Sequence, residues 1–270
     1  MSTILDKIFA DKKSDLESTQ RKHPLSSLKN AIGQQNPALN VKEVLQQPGS
    51  ARIIAEIKQR SPFKGELLQD FDALKIAGLY VENGAAALSI ITEERYFGGS
   101  IDFLKGARQR WRDIPLLRKD FIFAEYQVYE SRSIGADMFL LIATWLEKNQ
   151  LADLLSLGQE MGLTALVETH HEKDMEKAFH AQAQLIGINN RDLTSGKTDL
   201  NVARRLLKMA TFDKNHILVC ESGIHNREEI VEFEKLGAHA FLIGESLMTS
   251  NDIPGQLKKL LGHEQNQVPG

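Results

Sequence analysis

The sequence predicts an α/β chain closed into a (β/α)8 TIM barrel with an N-terminal helical extension. Three observations carry this. From residue 52 onward short apolar runs alternate with longer amphipathic ones, and eight such units follow one another with strand ends about 20 to 35 residues apart. The short runs are apolar almost throughout, as parallel strands covered on both faces are. The first run leads into Lys-Gln-Arg-Ser-Pro-Phe-Lys-Gly (58–65), not into the glycine-rich dinucleotide turn that an open doubly wound sheet carries after its first strand.

Residues 1–48 read as the extension, packed on the barrel mouth, 49–262 as the barrel, and 263–270 as a polar, flexible tail. In the extension Ile4, Leu5, Ile8 and Phe9 recur at helical spacing opposite Asp6, Lys7, Lys12 and Lys13, which predicts an amphipathic helix over about 3–17. A polar stretch over 23–40, containing Pro24 and Pro37, leads to a second short helical pattern that ends at Gln47, Pro48 and Gly49. The expected strands are 52–58, 86–92, 115–119, 138–144, 163–168, 185–189, 217–221 and 240–244. The expected helices are 71–82, 103–112, 125–133, 148–161, 172–181, 202–210, 227–236 and 254–261. Gly84, Gly135, Gly162 and Gly237 fall where a left-handed C-cap favours glycine, so several helices have a stop before the next strand.

Bulk properties exclude several classes. A chain of 270 residues with 42% hydrophobic and 26% charged residues can bury a substantial core, which rules out disorder as a whole. A net charge of -3 without any Lys/Arg block gives no footprint for nucleic acid. Cys220 is the single cysteine, so no intrachain disulfide or thiolate metal site can form, as expected of a reducing compartment. Asp6 and Lys7 interrupt the apolar N-terminus, and no later run approaches the ~20 apolar residues of a membrane span. A cytoplasmic monomer with no partner domain beyond the barrel is expected.

Barrel chemistry sits at the carboxyl ends of the strands, and those ends are charged here. The first strand delivers Glu56 and Lys58, which share a parity and so point to one face. The third gives Lys119, the fifth Glu168, the sixth Asn189 and Arg191, and the seventh Glu221 and Ser222. A structural ion pair explains any one of these; their convergence on one rim is the signal. A lysine and a carboxylate from opposite parts of the rim can serve as general acid and base, and neighbouring cations would lower the lysine's pKa towards neutrality.

The last two units add small-residue turns, Gly223-Ile224 and Gly244-Glu245, where barrels commonly offer backbone N–H groups to a phosphate. Lys58 and Ser61 can complete that cradle. His170 and His171 read as the opening of the next helix, and Cys220 as core filling, so no metal site is expected.

The ordered motifs resemble the indole-3-glycerol phosphate synthase family. They are Ala-Glu-Ile-Lys…Ser-Pro-x-Lys-Gly (55–65), Thr-Glu…Tyr-Phe-x-Gly-Ser (92–100), Leu-Arg-Lys-Asp-Phe (117–121), Val-Glu-Thr-His (167–170), Gly-Ile-Asn-Asn-Arg-Asp-Leu (187–193), Glu-Ser-Gly-Ile (221–224) and Ile-Gly-x-Ser-Leu-Met (243–248). The resemblance implies cofactor-free ring closure of a phosphosugar substrate, 1-(2-carboxyphenylamino)-1-deoxyribulose 5-phosphate, with loss of carbon dioxide and water, to indole-3-glycerol phosphate. It implies Lys119 as the general acid, Glu168 as the general base and Lys58 as a partner of the substrate carboxylate or phosphate. Glu56, Asn189, Arg191, Glu221 and Ser222 would orient the reacting end, and Phe97, Phe121 and Leu193 would wall the aromatic ring. The N-terminal helix resembles an extension over the barrel mouth that shields the site from water.

Two positions depart from the commonest pattern. Phe63 stands where serine is usual, and Glu245 where serine often follows the last strand's glycine. A carboxylate aimed at phosphate would repel it, so Glu245 is expected to turn outward and offer only its backbone N–H. A phosphoribosylanthranilate isomerase-like barrel, which needs a cysteine at the end of the first strand, is disfavoured by Lys58 at that place. A non-catalytic metabolite-binding barrel is disfavoured by Lys119 and Glu168.

Overall fold

The computed structural model describes residues 4–192, 194–210 and 216–263. Three helices precede the barrel: α1 (Ile4–Lys22), α2 (Leu25–Ile32) and α3 (Val41–Leu45). The first and third of these match the expected helices, whereas α2 falls within the polar stretch 23–40. That helix has no buried residue and follows Pro24, so it carries no apolar stripe strong enough to announce it.

Strands and helices then alternate: β1 (Arg52–Ile57), α4 (Ala73–Glu82), β4 (Ala87–Ile91), α5 (Ile101–Arg110), β5 (Leu116–Lys119), α6 (Glu125–Ser133), β6 (Met138–Ile142) and α7 (Lys148–Glu160). The second half runs β7 (Thr164–Thr169), α8 (Glu172–His180), β8 (Leu185–Asn189), α9 (Asn201–Ala210), β9 (Ile217–Glu221), α10 (Arg227–Lys235), β10 (Ala240–Ile243), α11 (Glu245–Met248) and α12 (Ile253–Leu261). A two-stranded hairpin, β2 (Arg60–Ser61) with β3 (Gly65–Glu66), fills the connection after β1. The remaining eight strands close, all parallel, in the order β1-β10-β9-β8-β7-β6-β5-β4. No described helix is long and apolar enough to cross a membrane.

Side-chain parity organises the core into two layers. Ile53, Ala55 and Ile57 face the helices, while Ile54 faces the barrel interior with Leu117, Leu166, Leu185, Val219 and Leu242. Counting by twos from those interior residues reaches Glu56, Lys119, Glu168, Asn189, Glu221 and Gly244 at the carboxyl ends. The site is therefore the top layer of the barrel interior, where inward-pointing positions switch from aliphatic to charged.

The segment before β1 serves both ends of the barrel. Leu5 and Ile8 of α1 are buried at the carboxyl end, where Phe9 stacks on Trp145 at 4.4 Å and meets Phe121 edge-on at 5.5 Å. Lys12 pairs with buried Asp120 at 2.6 Å, and Tyr96 hydroxyl bonds Asp11. Burial of each such aliphatic contributes roughly 1.5–3 kcal/mol, whereas the Arg95–Asp15 pair is solvent-exposed and screened, so apolar contact dominates the seating of α1. From there the chain passes down the outside beside α6: Tyr126 hydroxyl donates to His23 carbonyl near one end, and Gln35 to Ser133 carbonyl near the other. Val41 and Leu45 of α3 are buried in the interior cluster, and Leu39 N–H bonds Asp137, just before β6 begins. One helix thus closes the mouth and another plugs the floor.

Candidate active site

One cavity at the carboxyl ends collects Glu56, Lys58, Ser61, Phe97, Lys119, Phe121, Glu168, Asn189, Arg191, Glu221, Ser222, Gly223, Ile224, Gly244 and Glu245. These are all the sequence-predicted site residues except Leu193, which lies outside the described residues. The structure adds Ile4, Leu5 and Ile8 from α1, and Glu93, Asp120 and Ser246. The apolar face of α1 is visible in sequence, and the resemblance places it over the barrel mouth; which cavity residues it meets depends on the closed barrel.

Lys119 spans the mouth. In a ring of eight strands β5 and β9 are diametrically opposed, and Lys119 Nζ donates to Glu221 Oε2 at 3.0 Å across that diameter and to Glu168 Oε2 at 2.8 Å. Burial alone would push its pKa down, but the carboxylates of Glu168, Glu221 and Glu56 outweigh it, so the pKa rises. This corrects the expectation that cations would lower it: the groups that converge on Lys119 are anions, and it is an ammonium at neutral pH.

The pKa of Glu221 rises as well, which in a carboxyl favours the neutral form. Burial first, and then the neighbouring Glu168 and Glu56 carboxylates, push it up to about 8 against the opposing pull of Lys119. Its second oxygen, Oε1, is buried without a hydrogen-bond partner and packs against Gly187, where any side chain would collide with it. Glu56 is buried too, yet its pKa is lowered: burial opposes this, and Lys58, Lys119 and Arg191 together prevail. Lys58 Nζ lies 2.6 Å from Glu56 Oε1, as their shared parity predicts. A Cβ on Gly244 would stand 2.6 Å from that same oxygen, so the glycine is what lets Glu56 approach the end of β10.

The turns after β9 and β10 form the adjoining wall. Ser222 adopts φ 64, a left-handed conformation uncommon outside glycine, followed by Gly223 at φ 78. Asn190 side chain, just after β8, donates to Ser222 carbonyl at 3.1 Å, and Ser246 hydroxyl donates to Ile224 carbonyl at 2.9 Å, the latter tying the two turns together. Asn189 Oδ1 accepts the Arg191 N–H at 3.0 Å, which fixes the amide's orientation.

Glu245 does not turn outward. Its carboxylate bonds Arg191 Nη2 at 2.7 Å and Lys64 from the hairpin, and it lines the cavity. Burial opposes ionisation there, but the two cations hold its pKa below the ordinary carboxylate value. Arg191 and Lys64, which offset the repulsion expected from a phosphate, converge on Glu245 only in the folded barrel. Phe97 and Phe121, 6.1 Å apart between ring centroids, form an apolar wall. His171 opens α8 as expected, its backbone N–H donating to Asp174 Oδ2 at 3.0 Å, and Cys220 faces the helices, buried, its thiol pushed up by burial.

The top layer of this closed parallel barrel holds Lys119 between two carboxylates, in a cavity also lined by Phe97, Phe121 and the turns after β9 and β10. Solved structures agree on the fold: a 3-hexulose-6-phosphate synthase superposes with a TM-score of 0.63 over 78% of this chain and 99% of that one, at 15% identity. A family model described as indole-3-glycerol phosphate synthase matches residues 5–260. Proteins called indole-3-glycerol phosphate synthase from Dehalococcoides mccartyi and Campylobacter fetus are 43% and 42% identical to it, each over 96% of this chain and over 100% and 99% of their own. The chain belongs to the indole-3-glycerol phosphate synthase family, a family of decarboxylating lyases.

Proposed function

We propose that the top layer of the barrel closes the indole ring of 1-(2-carboxyphenylamino)-1-deoxyribulose 5-phosphate, with Lys119 as general acid and Glu168 as general base, in the synthesis of tryptophan. The observation that carries this is the contact of Lys119 ammonium with Glu168 at 2.8 Å, an acid and a base on one side of a cavity walled by aromatic rings.

The chemistry sets the proton count. Attack of the ring carbon that bears the carboxylate on the sugar carbonyl carbon forms the new bond and leaves charge on the carbonyl oxygen, which takes a proton from Lys119. Carbon dioxide then leaves, and its electron pair restores the ring. The hydroxyl departs as water after a second protonation, while Glu168 removes the carbon-bound proton whose loss completes the double bond. Two protons enter at oxygen and one leaves at carbon; the difference is the proton consumed when a carboxylate departs as carbon dioxide. Adjacent Lys119 and Glu168 can pass the returned proton between them, which suits a lysine that starts charged.

The other residues bind and orient. Lys58, held by Glu56, pairs with the substrate carboxylate. Glu221, Asn189 and Ser222 orient the reacting end, while Arg191, paired with Glu245, stands on the phosphate side. Phe97 and Phe121, with Ile8 and Leu5 of α1 above, hold the aromatic ring and exclude water. Ser61 and the backbone N–H groups at Gly223, Ile224, Gly244 and Glu245 receive the phosphate. The substrate is thus a small phosphosugar derivative, and no group outside the chain takes part in a step. Product fluorescence on addition of the substrate tests the assignment: turnover in the unaltered protein, lost in Lys119→Ala and Glu168→Gln, supports it, and binding without turnover contradicts it.

A further inference from the structure

Glu245 faces the same wall of the cavity as Ser61, Gly223, Ile224 and Gly244. Both its oxygens are engaged, Oε2 by Arg191 and Oε1 by Lys64. Those two cations come from different parts of the chain. Arg191 leaves β8 and bridges to Thr198 across a short turn, while Lys64 sits at the tip of the hairpin β2–β3. The hairpin leans on that same turn: Gly196, at φ +71, lies so close to Phe63 that a Cβ on it would stand 2.5 Å from the ring. The two departures from the family pattern, Phe63 and Glu245, thus belong to one cluster that draws the hairpin over the cavity.

We infer that Glu245 is a built-in counter-anion of the phosphate site: it holds Arg191 and Lys64 in the free protein, and a ligand phosphate gains those cations only by displacing it. This rests on the reading that the turns at Gly223 and Gly244 receive the phosphate. The charges balance accordingly. Arg191 and Lys64 carry two positive charges, which match a phosphate dianion, and Glu245 cancels one of them. Arg191 is suited to the exchange, because a guanidinium fork accepts carboxylate and phosphate in the same geometry. Lys64 changes its partner from protein to ligand, so the hairpin keeps an ion pair throughout.

The test is calorimetric titration of inorganic phosphate into the unaltered protein, Glu245→Gln and Glu245→Ser at one ionic strength. Removing one like charge a few ångströms from the bound anion is expected to tighten phosphate binding on the order of tenfold in both variants. Equal binding overturns the inference, and weaker binding overturns it by showing that the carboxylate holds the cations in place for the ligand; where the variants differ, the isosteric Gln decides. Turnover by the unaltered protein is measured in parallel. Turnover with no tightening removes the counter-anion alone, whereas tightening without turnover leaves the counter-anion and removes the ring-closure reading.

Discussion

Glu221 shows how much a single residue costs when three carboxylates share a barrel interior with Lys119. Its raised pKa means that the folded protein holds a proton the unfolded chain gives up. The linked stability is present below about the ordinary value of 4.5 and is lost as pH rises towards about 8. Glu221→Gln removes this linkage, so the variant should lose less stability than the unaltered protein between pH 5 and pH 8, as measured by denaturant unfolding; parallel losses would show that Glu221 ionises freely. Gly187 supports the same carboxylate from below. Gly187→Ala places a methyl group against Glu221 Oε1 and should cut kcat/KM while circular dichroism stays native. Unchanged kcat/KM in the folded variant would mean that the position of Glu221 is not critical.

At the scale of elements, the helices before β1 divide their labour, and point substitutions can separate the two roles. Leu45 of α3 is buried at the floor of the barrel, far from the cavity lining, and Leu45→Ala should cost about 2–5 kcal/mol of stability with KM unchanged. Ile8 of α1 is equally buried but lines the cavity, so Ile8→Ala should lose stability and also raise KM several-fold. Denaturation and steady-state kinetics on both variants check this; a rise in KM for both would mean that the helices act only through overall stability. A truncation of the whole extension would confound the roles, because it removes mouth and floor together.

For the whole molecule, the strands were legible because parallel strands buried on both faces must be apolar, and β8 and β9 have the bounds expected from sequence. The inward charged positions were legible too, since Glu56 and Lys58 follow from parity alone. What sequence did not carry was which charges meet. Lys119 and Glu221 are separated by 102 positions and touch because the ring closes, so the sign of the lysine's shift was misread. The same is true of Glu245, whose Lys64 partner lies 181 positions away. Helix α2 and the hairpin β2–β3 were illegible for a different reason: α2 buries no residue of its own, and the hairpin has only two residues in each strand.

In the proposed reaction one lysine–carboxylate pair at the barrel mouth performs the ring closure. It is tested most directly by following indole fluorescence after 1-(2-carboxyphenylamino)-1-deoxyribulose 5-phosphate is added to the unaltered protein, Lys119→Ala and Glu168→Gln. Rapid product formation by the unaltered protein is expected, with a loss of roughly 10²–10⁴-fold in kcat in each variant. Turnover that survives in both variants, or its absence in the unaltered protein, would contradict the account.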